Sequence, residues 1–196
     1  TTTTLALAGH ERLIGGLEKL LGLRGVDEEK AMLLIGVTGG SALVKMARKA
    51  AIDAAKEFGG IHVGQTFGKQ WVKGRFHTPY LRNTLWEMGY AVDTLETAVP
   101  WSNVDKTLAD IEAALHTAVA DEGEKIHVFT HLSHVYPTGA SIYTTFLFRL
   151  DADPDVVLAR WEKLKAAAST AVVANQGTIS HQHGVGTDHA PYLPAE

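Results

Sequence analysis

The order of periodic segments between Tyr90 and His183 constrains the fold of this chain more than any other feature. Tyr90–Val99 (YAVDTLETAV) has the composition of a strand and closes on Pro100. Ser102 stands as the N-cap of a helix whose Val104, Leu108, Ile111, Leu115 and Val119 keep one apolar stripe. Asp105 there resembles the acid of a capping box. Ile126–His134 alternates Ile126, Val128, Thr130 and Leu132 against His127, Phe129, His131 and Ser133, the period of a strand. The turn residues Tyr136-Pro137-Thr138-Gly139 follow. Ala140–Leu150 is the next strand, with Ile142, Phe146, Phe148 and Leu150 on one side and Ser141, Tyr143, Thr145 and Arg149 on the other. Asp153-Pro154 joins an N-cap to a first-turn proline, and the helix it starts runs to Asn175 before Gly177. Thr178–His181 completes the series as a short strand. Strand, helix, strand, strand, helix, strand is the split βαβ order of ferredoxin-like units. The expected fold is therefore α+β: an antiparallel sheet with helices packed on one face.

Upstream the punctuation is weaker. Leu5–Leu21 reads as a helix ending near Gly22, and Ala31–Val37 (AMLLIGV) as a strand too brief to be a helix. Ser41 caps a helix that Gly59-Gly60 ends. Ile61–Val63 resembles a strand stub, as if a similar unit had lost its leading strand. Gly64–Met88 is irregular, with helical character around Tyr80–Glu87. No linker-like composition divides the 196 residues, so one continuous body is expected. A net charge of −4 without a basic stripe gives no electrostatic footprint for nucleic acid. The chain has no cysteine, which removes thiolate chemistry and cysteine-based metal sites. No apolar run reaches membrane-spanning length, and Thr1–Thr4 is unlike a signal peptide. A soluble cytoplasmic protein is the expectation.

Three places could carry chemistry. In Ser180-His181-Gln182-His183-Gly184-Val185-Gly186, an extended backbone would point His181 and His183 the same way, as acid/base groups or ligands. Zinc would need a third ligand, for which Asp188 and His189 are the near candidates, and no metal is expected. Tyr143 faces away from the aromatic side of its strand, either into solvent or into a pocket. Arg82, flanked by apolar residues, could bind a phosphate or carboxylate bidentately or form a surface ion pair.

These signals occur together in one pattern. Ser133–Tyr143 (SHVYPTGASIY) followed by Ala174–Gly186 (ANQGTISHQHGVG) resembles the C-terminal cap of the FAD-linked oxidases of the vanillyl-alcohol-oxidase type. Within them it is most similar to the alkyldihydroxyacetonephosphate (alkylglycerone-phosphate) synthases. Tyr80-Leu81-Arg82-Asn83 and Asp93–Trp101 (DTLETAVPW) resemble family stretches at matching spacing. The resemblance implies that residues 1–196 are a cap or substrate domain. FAD would be bound mainly by an N-terminal domain outside these residues, with His181 and His183 as neighbours of the flavin. It also implies formation of an ether-lipid precursor from acyl-dihydroxyacetone phosphate and a fatty alcohol. The flavin would hold the substrate carbon while the fatty acid leaves and the alcohol enters, with no net redox.

The resemblance further assigns roles. Tyr143 matches the family's active-site tyrosine, the base at the carbon bearing the acyl group. A phenol titrates near pKa ~10, so this role requires a neighbour to assist it. Arg82 matches the active-site arginine, for a substrate anion or the departing carboxylate. Thr94 replaces a substrate-binding serine and keeps its hydroxyl. The family's three successive histidines become His181, Gln182 and His183, and Gln182 in the substrate site cannot exchange a proton. Two other readings stay open. An FAD-dependent dehydrogenase or oxidase of a 2-hydroxy acid or alcohol would use Arg82 for a carboxylate and a histidine for the hydroxyl proton. A stand-alone ferredoxin-like binding or metal module would need no flavin. The partners implied are the protein's own FAD domain and a small lipid or hydroxy-acid substrate. A homodimer and association with a membrane surface are both compatible with them.

Overall fold

A computed structural model describes residues 11–26 and 31–196. Their contacts gather into two units, Thr1–Pro79 and Tyr80–Glu196, where one continuous body was expected. Each unit closes its own contacts without a linker-like sequence between them, so composition could not mark the boundary.

In the first unit α1 spans Glu11–Gly22, α2 Ser41–Glu57 and α3 Thr66–Gly74. Residues 5–10 of the helix expected over Leu5–Leu21 lie outside the described residues. Ala31–Val37 and Ile61–Val63 are irregular rather than strands, and no strand forms among the described residues of this unit. An isolated apolar run has no ladder to satisfy its backbone groups, so β composition alone does not make a strand. The N-cap of α2 is Gly40 in extended conformation, without a side-chain cap; Ser41 is already helical. The C-terminus of α2 follows expectation: Gly59 takes φ +78° and Gly60 N–H donates to Ala55 O at 2.8 Å. The short helix α3 had no signal in its sequence.

The second unit is the α+β body. It comprises α4 (Leu81–Glu87), β1 (Tyr90–Pro100), α5 (Val104–Ala118), β2 (His127–Val135), β3 (Gly139–Arg149) and α6 (Pro154–Ala174). The strands lie in the order β1-β3-β2, both pairs antiparallel. β1 and β2 are thus parallel with β3 between them, which is the split βαβ arrangement. The expected fourth strand is reduced to two bonds along the outer edge of β1: Thr178 N–H to Ala98 O at 3.2 Å and His181 N–H to Glu96 O at 2.9 Å. Gly177 makes this approach feasible, because a Cβ there would lie 2.5 Å from Thr97 Oγ1.

The helices pack on one sheet face. Ile111 and Leu115 of α5, Leu164, Ala168 and Val172 of α6, Phe146 and Phe148 of β3, and Ile179 form the buried core. Asn103, not Ser102, is the N-cap of α5, because a 3-10 turn over Trp101–Asn103 shifts the helix start beyond the serine. Asp153 caps α6 as expected, its carboxylate accepting from Asp155 N–H at 2.9 Å, with Pro154 in the first turn. Asp153→Ala should cost ~1 kcal/mol of stability, the usual value of such a cap. Urea denaturation followed by circular dichroism checks this, and an unchanged midpoint would deny the cap any energetic role.

Candidate active site

The sheet has a second face, turned away from α5 and α6, and polar residues converge there. Residues opposite one another in an antiparallel ladder share a face. Glu96 of β1 lies opposite Tyr143 of β3, which lies opposite His131 of β2. A row of carboxylate, phenol and imidazole thus crosses all three strands. Thr94 and Ala98, paired with Thr145 and Ser141, extend the same face.

Glu96 is the centre of the site and is 4% exposed. Its Oε1 accepts from Ser133 Oγ, and also lies 3.3 Å from His134 Nδ1 and 3.3 Å from His181 Nδ1. Its Oε2 lies 3.0 Å from His183 Nε2. Burial opposes the charge, but hydrogen bonds from Ser133, Ser141, His181 and His134 outweigh it and hold the carboxyl below its ordinary range. Glu96 is therefore an anion at neutral pH.

A local irregularity in β2 supplies two of these donors. Leu132 pairs with Ile142 and Val135 with Ala140, so β2 carries one extra residue over that interval. Such a bulge re-aims side chains, and here it turns both Ser133 and His134 toward Glu96. Ser141 holds them: its Oγ lies 2.6 Å from Ser133 Oγ and accepts from His134 N–H at 2.8 Å.

His181 and His183 do converge, by another route than strand alternation. Gln182 adopts φ +63° and Gly184 φ +76°, so the segment is a turn, closed by Ser180 Oγ donating to Gly184 O at 2.8 Å. That turn sends the two imidazoles to the two oxygens of one carboxylate and leaves Gln182 exposed. His189 bonds Gly186 N–H through Nδ1 at 3.0 Å, and Asp188 lies 3.6 Å from Lys165. Both therefore serve the loop and not the cluster.

Tyr143 is half-buried between two imidazoles. Its ring centroid is 5.1 Å from His131 and 5.4 Å from His183, the latter edge-on. Desolvation lowers the His131 pKa, with the Glu96 charge pulling back only in part, although the residue as a whole is exposed. The other phenol, Tyr136, places its hydroxyl 3.2 Å from His181 Nε2. Arg82 is exposed on α4, its guanidinium 5.2 Å over the Trp86 ring. No hydrogen bond, ion pair or ring contact among the described residues joins it to the imidazole cluster. Thr94 shares the Glu96 face, and its carbonyl accepts from Lys165 Nζ at 3.3 Å.

The ligand-type atoms of Glu96, His134 and His181 lie within 4.8 Å of one another, a spacing compatible with a cation. These atoms also contact one another, Glu96 Oε1 lying 3.3 Å from Nδ1 of both His134 and His181. Among the described residues, nothing resembles a pyrophosphate cradle, since Gly184-Val185-Gly186 is exposed and leads into Thr187. What the face offers is proton carriers: a carboxylate, imidazoles and phenols.

Sequence reasoning did not single out Glu96, His134, Ser133, Ser141, His131 or Tyr136 for the site. Glu96 had one signal: a carboxylate in the middle of a strand whose other residues are mostly apolar or hydroxylated. Nothing in spacing links positions 96, 134 and 181.

Residues 11–196 match the model of the family described as FAD linked oxidases, C-terminal domain, and the chain belongs to that family. Among curated proteins it is similar to alkyldihydroxyacetonephosphate synthases. The match is 27% identical over 87% of this chain for Dictyostelium discoideum, and 22% over 83% for Trypanosoma brucei brucei. For Caenorhabditis elegans it is 28% identical over 67% of this chain. The chain spans 28%, 26% and 22% of those proteins respectively. A solved structure of alkyldihydroxyacetonephosphate synthase shares the fold, with a TM-score of 0.56 at 22% identity over 71% of this chain and 25% of that one.

Proposed function

We propose that this chain is the substrate-handling part of an FAD-dependent enzyme. That enzyme would exchange the acyl group of acyl-dihydroxyacetone phosphate for a fatty alcohol, yielding an ether-lipid precursor. The observation that carries the reading is the polar face, where Tyr143 stands between two imidazoles and opposite an ionised carboxylate. Family membership supports the flavin, and the names of the relatives support the reaction.

FAD, when bound, would supply an electrophilic centre able to hold the substrate carbon between leaving and entering groups. The protein's own residues would do the rest. Tyr143 acts as the phenolate, taking a proton from the carbon bearing the acyl group and re-forming its O–H bond. Its own proton is given up beforehand to one of the imidazoles beside its ring, His183 (edge-on and 3.0 Å from Glu96 Oε2) or His131. Thr94 and Gln182 contact the substrate at the rim of the face. Arg82, as the family's anion site, binds the phosphate or the departing carboxylate. The FAD-binding part would lie outside these residues, as the family description of a C-terminal domain suggests.

Reconstitution tests the class. The 196 residues alone should be colourless, and the protein should turn yellow only together with a flavin-binding part. Stoichiometric FAD on this chain alone, or zinc bound in preference to any flavin protein, would sink the reading in favour of a free-standing module.

A further inference from the structure

Two bonds in series connect a second phenol to the buried carboxylate. Tyr136 Oη lies 3.2 Å from His181 Nε2, and His181 Nδ1 lies 3.3 Å from Glu96 Oε1. An ionised carboxylate only accepts, so Glu96 keeps the ring proton on Nδ1 and leaves Nε2 with a free lone pair. The group set at that lone pair is the Tyr136 hydroxyl, which must then donate to it. Both partners are held in place. His181 N–H is bonded to Glu96 O at 2.9 Å. Tyr136 N–H donates to Gly139 O at 2.8 Å, its carbonyl accepts from Trp101 Nε1 at 3.1 Å, and its ring stacks on His134. Carboxylate, imidazole and hydroxyl in this order form the arrangement by which a base, oriented by a third group, activates a hydroxyl.

We infer that Glu96, His181 and Tyr136 form a second proton-transfer line, in which the Tyr136 phenol takes the proton of an alcohol substrate. Tyr136 is 39% exposed, so its oxygen can meet a substrate. The two lines share one anion: Oε1 serves His181 and Tyr136, while Oε2 serves His183, which stands against Tyr143. The assignment to an alcohol rests on the function proposed above, where two different protons must be removed, one from carbon and one from the entering hydroxyl. In the step, the Tyr136 O–H bond breaks and its proton bonds to His181 Nε2, the electron pair staying on the phenolate oxygen. Glu96 stabilises the imidazolium. The phenolate then accepts the alcohol proton, re-forming its O–H bond, and the alkoxide oxygen keeps that pair for attack. The new ether C–O bond replaces the carbon's bond to the fatty carboxylate, the proton on Nε2 passes to that carboxylate to give the free fatty acid, and nothing is oxidised or reduced.

The test uses the chain itself and needs neither flavin nor turnover, so its failure is distinguishable from failure of the flavoenzyme reading. N-acetylimidazole acetylates phenol oxygens, and peptide mapping separates Tyr136 from Tyr80, which is 67% exposed and serves as the internal reference. Base assistance should make Tyr136 react faster than Tyr80, and His181→Phe should lower the Tyr136/Tyr80 ratio by on the order of tenfold or more. In parallel, nitrogen chemical shifts of the wild-type chain should show His181 protonated at Nδ1 and bare at Nε2. Glu96→Gln should shift it toward the Nε2–H form while Tyr136→Phe leaves it at Nδ1–H. An unchanged labelling ratio in His181→Phe, or an Nε2–H tautomer in the wild type, overturns the proposal. The wild-type tautomer decides the matter even where a variant fails to fold.

Discussion

Replacing Tyr143 with Phe in the intact flavoenzyme should lower turnover by about 10²-fold or more while FAD stays bound. The substitution removes one oxygen and keeps the ring, so the contacts with His131 at 5.1 Å and His183 at 5.4 Å persist. Tyr143 sits on the middle strand, bonded on both sides, and the core beneath that strand is formed by Ile142 and Phe146, which point the other way. Folding should accordingly be unaffected, and the flavin absorbance should match that of the wild type. On the function proposed above, what is lost is the group that exchanges a proton with the substrate. Steady-state rates with the absorption spectrum of the same sample check both halves. Turnover within a few-fold of wild type would remove Tyr143 from the chemistry.

Glu96→Gln should have the second-largest effect, and on stability as well as activity. Glutamine preserves shape but replaces an anion that accepts from Ser133, His134 and His181 and stands 3.0 Å from His183 Nε2. Hydrogen bonds to a charged group are worth about 1.5–3 kcal/mol each, so the chain should be destabilised by at least ~2 kcal/mol at neutral pH. The sign of its pH dependence follows from the depressed Glu96 carboxyl. A folded-state pKa below the unfolded one gives stability that is fully present above the unfolded carboxyl value. That stability is lost as pH falls through the folded value. The gap between wild type and Glu96→Gln should therefore be widest near neutrality and close in acid, where protonated glutamate resembles glutamine. Thermal unfolding at a series of pH values measures it. A constant gap would mean that Glu96 stabilises by shape alone.

Much of the second unit was legible because its helices and strands follow simple periods. β1, β3 and α6 lie within a residue of their expected bounds, since apolar alternation and the Asp153-Pro154 start both act locally. The first unit was harder. Ala31–Val37 has the composition of a strand, but strand formation depends on a partner, which a local pattern does not reveal. At the site, Tyr143, His181 and His183 stood out by residue type and resemblance, whereas the reason they lie together did not. That reason is Glu96, brought against positions 134 and 181 by a bulge in β2 and a left-handed turn at Gln182. Neither feature has a sequence signature: a bulge shows only in the register of two paired strands, and glutamine seldom marks positive φ.

Arg82 and Thr94 are the residues for which the resemblance says most and local geometry least. Arg82 rests on Trp86 and is exposed, with its five donors in a fork suited to a carboxylate or phosphate. Its replacement by lysine would keep the charge and lose the fork, which separates anion recognition from simple charge attraction.

The most direct measurement is product analysis on the intact protein supplied with acyl-dihydroxyacetone phosphate and a fatty alcohol. The function proposed here predicts one equivalent of ether-linked dihydroxyacetone phosphate per fatty acid released, with no reduced flavin accumulating and no loss of flavin colour on adding lactate or glycolate. Flavin bleached by a 2-hydroxy acid, with no ether formed, would contradict it and make the protein a hydroxy-acid dehydrogenase.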